Sequence, residues 1–406
     1  MLAVGTAYQR FVCVQDLKLA ESPAILLLHM LKKIDKNKAK NIWIHAQKLD
    51  EPNSFGKGPA AVVKAINHLG YVQIDTISVI ERCHHHILYN RIPQYNRKHL
   101  HQAQTVDKSI FEYWTHALSY VSTSDYKYFV AHMNNINTLN GTWFSTVTTA
   151  DYKKVKQLLS KTGPISIRDI KDDVPIEKTH DWGSVKPSKK ALQMGFYKGD
   201  FVVGERDGML KKYDLTDRHF GWRAKPKPVH ATEYTNYIIE RALKSQGIIS
   251  LDSVCYLDSK QKKPVSELIE AQLQSGELIE VSIEGSDKIK LWGRPETIQQ
   301  NYSTSELTHI LSPFDPLIIQ RKRLNLFFDY NHIFEAYVPK IKRKYGYFTL
   351  PVLIENKIAA ILDLKTDRQN KKIIINNWLW LEKNKSRENK KAIETELHRF
   401  EKFQLG

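Results

Sequence analysis

A repeated grammar of helix, helix and two-stranded hairpin, followed by a strand-rich terminal segment, predicts an α+β chain. The expected architecture is tandem winged-helix (helix-turn-helix) domains followed by a small antiparallel β-rich C-terminal unit. Three observations carry this. The stretch "TGPISIRDI" (162–170) leads through a helix to "FVVGERDGMLKKYDL" (201–215), a hairpin with Asp207-Gly208 at its turn. The same order returns in "SQGIISLDSVCYL" (245–257) and "PVSELIEAQLQSGELIEVSIEGSDKIKLW" (264–292). Three apolar strands with polar turns between them then make up "YGYFTLPVLIENKIAAILDLKTDRQNKKIIINNWLWLE" (345–382).

Taken in order, residues 1–37 read as a poorly ordered N-terminal extension. Met30 opens a natural lead into the first helix, so translation is expected to begin there. Residues 38–150 form a first, less regular winged-helix domain, with "NIWIHAQKL" and "PAAVVKAINHLG" helical and "HHHILYNRI" as wing strand. The second winged helix spans 151–228, where Ser166 is placed to cap a helix start. The third spans 229–304, with Gly285 at its hairpin tip. Residues 305–406 hold the β-rich unit, closed by an amphipathic charged helix over 385–404.

The 406 residues carry 61 Lys plus Arg against 44 Asp plus Glu, a formal net charge of +17. That excess favours a polyanionic partner, and nucleic acid fits best. Cys13, Cys83 and Cys255 lie far apart without ligand spacing, which argues against a disulfide framework or a structural zinc and fits a reducing cytoplasm. The run "PAILLLHML" (23–31) falls short of the roughly 18–20 apolar residues of a membrane span, and it lacks the flanks of a signal peptide.

One segment breaks the apolar pattern. In "YVQIDT" (71–76), an extended backbone places Gln73 and Asp75 on one face and Val72 and Ile74 on the other. A carboxylate there is costly unless it is paired or catalytic. By spacing alone, a satisfied polar pair bridging two helices is the better explanation, because Gln-x-Asp is a weak pattern.

Five segments in order widen the choice: "QIDTISVIERCHHHILYNRI", "FEYWTHALSYV", "GFYKGDFVVGERDGMLKKYDLTDR", "LSPFDPLIIQRKRLNLFFD" and "KRKYGYFTLPVLIENKIAAILDLKTDR". Together, over about residues 38–385, they resemble the AlkZ/YcaQ family of DNA glycosylases, and its YcaQ (AlkX) branch more closely. The resemblance implies tandem winged helices cradling double-stranded DNA, a monomer, and hydrolysis of the N-glycosidic bond of N7-alkylated purines. Unhooking of interstrand crosslinks belongs to the same activity. It also implies that Gln73-Ile74-Asp75 is the catalytic motif, in its Gln-Φ-Asp form.

The chemistry suits that motif. An N7-alkylated purine is already a cationic leaving group, so what remains is an oxocarbenium-like sugar and an attacking water. A carboxylate stabilises the former and polarises the latter, and a neighbouring amide positions without titrating. Asp75 is therefore expected as base and Gln73 as positioner. No lysine lies in the motif and the nearest, Lys64, sits on the preceding helix. A monofunctional enzyme without cofactor follows.

His116 is a candidate for the pocket, although the branch tends to carry Glu after it and this chain has Ala117. Trp114 is expected in the core. Arg206, Lys211 and Lys212 on the wing, Arg321-Lys322-Arg323, and Lys342-Arg343-Lys344 are candidate DNA contacts.

The adjacent His84-His85-His86 diverge in any regular element, which argues against a metal site. Asp315 with Asp363-Leu364-Lys365 faintly mimics a metal nuclease, a reading set below a structural role. The remaining rival is a winged-helix transcription regulator without catalysis. It would have no use for an acidic face towards DNA, and neither a dimerisation element nor an effector domain is evident.

Overall fold

The computed structural model describes residues 31–136, 144, 147–171, 186–286, 289–381 and 384–406. The chain is α+β, with four small sheets joined by helices. In the first module, helix Gly58–Leu69 ends at Gly70, whose positive φ of 78° reverses the chain into strand Val72–Gln73. That strand pairs antiparallel with Leu118–Ser122, which also pairs with Ile110–Trp114.

The wing of this module is thus the hairpin 110–122. The histidine segment expected as wing strand is instead helix Cys83–Tyr89. Its residues Cys83, His84, His86, Ile87, Leu88 and Tyr89 are all buried. A helix packed on most sides loses the apolar periodicity that would have distinguished it from a strand.

The second module follows the expected plan. Helices Thr149–Thr162 and Pro187–Tyr197 cover a sheet of Ile165–Ser166 and the hairpin Phe201–Asp207/Leu210–Leu215, with Gly208 at the turn. Ser166 caps a short 3-10 turn rather than an α-helix. In the third, helices Ala231–Gln246 and Lys262–Gln274 flank Ile248–Ile249, Ile279–Ile283 and Leu291–Gly293.

A fourth strand joins that sheet from far away in sequence. Lys32–Ile34 pairs in parallel with Ile279–Ile283, aligning Ile34 with Ile283. The extension expected to be poorly ordered therefore ends in a strand, and helix Lys36–Ala46 follows it directly. Residues 1–30, including Met30, lie outside the described residues. Nothing local marks "KKI" as a strand; the free hairpin edge supplies its partners.

The cores do not follow the chain order. Trp43, on helix Lys36–Ala46, packs with Val281 and Leu291 of the third module and with Leu311 and Phe327 of the C-terminal unit. Ile66, Val72, Ile74 and Ile87 share a core with Leu350, Leu362 and Phe400. The C-terminal sheet orders Thr308–Ile310, Thr349–Ile354, Lys357–Asp367 and Lys372–Trp380 as neighbours, and helix Arg387–Leu405 closes it. Between these layers Arg91 and Asp315, both fully buried, form a two-pronged ion pair at 2.8 and 2.9 Å. Arg91 also bonds Gln47.

Candidate active site

Strand Val72–Gln73 delivers the motif to the end of the first sheet. Pairing extends one residue further, where the Ile74 N–H donates to the Leu118 carbonyl at 2.8 Å. There Asp75 turns the chain: its Oδ1 accepts from the Ile77 N–H at 2.7 Å. No side-chain cation among the described residues pairs with Asp75. Burial raises its pKa above the ordinary carboxylate value, against the opposing pull of the Ile77 N–H. A half-buried carboxylate without a counter-charge is poised as a base.

Gln73 is buried, and its side-chain oxygen accepts from His116 Nε2 at 3.1 Å. Its carbonyl accepts from the Cys83 thiol at 3.0 Å. His116 lies on the turn joining the strands Ile110–Trp114 and Leu118–Ser122. Tyr71 meets its ring edge-on at 4.8 Å and Tyr256 at 5.3 Å.

Burial, helped by the nearby Arg241 guanidinium, lowers the His116 pKa to about 4. The ring is therefore neutral at pH 7, and its Nε2 proton holds the amide. The Ala117 carbonyl accepts from the backbone N–H and hydroxyl of Thr115. No carboxylate among the described residues bonds His116; the rings of Tyr71 and Tyr256 flank it instead.

Tyr71, Arg241 and Tyr256 were not anticipated. Tyr71 precedes the motif and was legible as a neighbour. Arg241 and Tyr256 come from the third module, and no local pattern singles them out. Gly70 explains the approach of Arg241, since a Cβ there would lie 2.2 Å from Arg241 Cγ. Arg241 also lines a cavity of about 500 Å³ between the first and third modules, with Lys48, His68 and Lys244. Trp114, expected in the core, is 43% exposed at the strand end beside His116, with its ring 6.1 Å from Tyr197.

The basic candidates divide. Arg206 is committed to the fully buried Glu112, through Nε to Oε1 and through a 2.7 Å bond to Oε2, and the same carboxylate accepts from Gln104. Arg323 is buried, with its guanidinium 4.3 Å over Trp43 and 4.4 Å over Phe327, and it donates to backbone carbonyls. Neither guanidinium is free for phosphate. Each faces inward from its element, Arg206 from strand Phe201–Asp207 towards a buried carboxylate and Arg323 from helix Arg321–Phe328 towards two aromatic rings.

Lys211 is part-buried over the Phe196 ring at 5.0 Å, and burial lowers its pKa to about 8. Lys212 pairs with Glu205 at 3.1 Å. Arg321, Lys322, Lys342 and Lys344 are exposed, whereas Arg343 donates to the Val338 carbonyl.

The remaining motifs separate. His85 bonds Tyr95 and His86 bonds the Ile310 carbonyl, while His84 packs against Tyr120. Asp315 is held by Arg91, and Asp363 accepts from the backbone of Tyr347 and Phe348.

A family model described as "DNA glycosylase AlkZ-like" matches residues 66–403, most of the chain, with Gln73, Asp75, His116, Arg241 and Tyr256 all inside the match. The chain belongs to the AlkZ-like DNA glycosylase family. Among solved structures, the Streptomyces sahachiroi DNA glycosylase AlkZ superposes with a TM-score of 0.58 at 16% sequence identity. The match covers 92% of this chain and 98% of that one, which establishes a common fold. As an AlkZ-like glycosylase the protein acts on DNA. No helix among its described residues is long and apolar enough to cross a membrane.

Proposed function

We propose that this glycosylase hydrolyses the N-glycosidic bond of N7-alkylated purines in double-stranded DNA and unhooks interstrand crosslinks, with Asp75 as base. The observation that carries the reading is the Asp75 carboxylate, half-buried, held by one backbone N–H and lacking a counter-charge, next to a Gln73 amide fixed by neutral His116.

In the reaction the C1′–N9 bond breaks and its electron pair neutralises the cationic purine. Asp75 stabilises the positive sugar and takes a proton from the water whose oxygen bonds to C1′. Gln73 and His116 hold the approach geometry, and neither needs to change charge. This route uses no cofactor and no lysine adduct, so the product is an abasic site on an intact strand. The Gln73-Ile74-Asp75 form of the motif favours the YcaQ branch.

Exposed Arg321, Lys322, Lys342 and Lys344 support phosphate contacts, with Lys211, Lys212 and Arg343 in supporting positions. A monomer acting in the cytoplasm is consistent with this reading.

The test uses one duplex carrying N7-methylguanine and another carrying a nitrogen-mustard crosslink. Each is incubated with wild type and Asp75→Asn in EDTA, and alkali then reveals abasic sites. Release by wild type and its loss in the variant are expected. Binding by wild type without release would refute the proposal.

A further inference from the structure

The segment His332–Tyr347, which enters the C-terminal sheet ahead of strand Thr349–Ile354, exposes what the rest of the fold hides. Ile341 is 95% exposed and Tyr337 77%. Around them stand Lys340, Lys342, Arg343 and Lys344, and no acid occurs between Ala336 and Tyr347. None of the four cations forms an ion pair among the described residues.

The loop is nevertheless built to hold one shape. The buried Glu335 carboxylate accepts three successive backbone N–H groups, from Lys344 at 2.6 Å, Tyr345 at 2.7 Å and Gly346 at 3.2 Å. Arg343 closes the loop on itself, donating to the Val338 carbonyl at 2.8 Å and lying 4.7 Å over Tyr347. Asn377 holds the Tyr345 carbonyl at 3.0 Å. At the base, Phe334 meets Phe314 at 5.1 Å and Phe348 at 5.6 Å. This base is seated in the same core as Ile74 and Ile77, the residues flanking the Asp75 turn.

We infer that this loop is a DNA-inserting element, in which Ile341 enters between base steps while Lys340, Lys342 and Lys344 engage the flanking phosphates. The nearly fully exposed Ile341 between Lys340 and Lys342 fits a partner that is apolar at one point and negative on either side. Protein interfaces deplete lysine at the centre of the patch, whereas a duplex offers stacked bases between two rows of phosphates. Because Glu335 and Arg343 already order the loop, little entropy remains to be lost on insertion.

Parting the stack beside a lesion would admit the attacking water without requiring a crosslinked base to leave the helix completely. The inference rests on the duplex-DNA substrate of the proposed function and is independent of the roles of Gln73 and Asp75.

The test uses full-length Asp75→Asn protein and duplexes carrying N7-methylguanine with one 2-aminopurine placed at successive neighbouring steps. Binding is expected to raise 2-aminopurine fluorescence several-fold at one or two adjacent steps, and Ile341→Ala is expected to abolish that rise. The triple variant Lys340→Gln/Lys342→Gln/Lys344→Gln is expected to flatten the log–log salt dependence of binding by about 2–3, near 0.9 per lost phosphate contact.

No rise at any step with saturating protein, or an undiminished rise with Ile341→Ala, would overturn the inference. So would a concentration-dependent dimer that Ile341→Asp converts to monomer without weakening DNA binding. Base release by Asp75→Asn would count against the catalytic assignment alone, because the fluorescence reports stacking whether or not the base departs.

Discussion

In the proposed mechanism Asp75 combines a cost to the fold with a use in the reaction, and the two separate with pH. Its pKa is raised in the folded state, so folded protein holds the proton more tightly than unfolded chain. The penalty is absent below the unfolded value and fully present above the folded one. Asp75→Asn is therefore expected to raise the melting temperature at pH 8, with the gain vanishing near pH 3, while base release falls at least about 100-fold. Melting curves at both pH values with a release assay check this. In the same proposal His116 acts through Gln73, as a positioning residue. His116→Phe keeps the ring among Tyr71 and Tyr256 but removes the Nε2 proton. A loss of about 10–100-fold in single-turnover base release, with DNA affinity unchanged, is the expected outcome.

Glu112 links elements. It ties the wing strand Phe201–Asp207 to strand Ile110–Trp114 through Arg206, in a pair with both side chains buried. Removing one partner leaves a buried charge unpaired. Glu112→Gln is thus expected to destabilise the fold by about 3–5 kcal/mol in denaturant titration, and Glu112→Leu with Arg206→Met should recover most of the loss. Gly70 governs the approach of Ala231–Gln246 to the site. With φ at 78° and Arg241 against its α-carbon, Gly70→Ala is expected to cost at least about 1 kcal/mol and to displace Arg241. The displacement would show as an upward shift of the His116 titration followed by NMR.

Across the whole molecule, histidine burial governs acid sensitivity. His68, His86, His116 and His309 are lowered to about 4 and His85 to about 3, in each case first by burial. Between those values and the ordinary 6.5, the unfolded chain binds more protons than the folded one. Their contribution to stability is complete above 6.5 and is lost as pH falls towards 4. Each such group adds a slope of up to about 1.4 kcal/mol per pH unit, so the melting temperature should fall steeply between pH 6.5 and 4.5. A flat profile there would contradict the neutral, buried state of these rings. Because the cores span the modules, a single cooperative transition is expected, with the Arg91–Asp315 pair at the junction of the layers.

Local chemistry made much of this molecule legible in the sequence. Turn glycines and short apolar runs bounded by polar turns have short-range causes, so the second and third winged helices and the C-terminal strands could be read directly. The odd carboxylate of "QIDT" was visible because alternation made it conspicuous. The structure decided what depends on distant partners. Lys32–Ile34 is a strand because Ile279–Ile283 offers it an edge. Cys83–Tyr89 is a helix whose burial on most sides erases its periodicity. Arg206 and Arg323 turn inward because Glu112 and Trp43 await them there. The surroundings of His116 belong to the same class: Tyr71 stands beside the motif in the chain, but Arg241 and Tyr256 reach His116 and Tyr71 only through packing of the third module on the first. Local propensity acts over a few residues, while burial and charge pairing act through space.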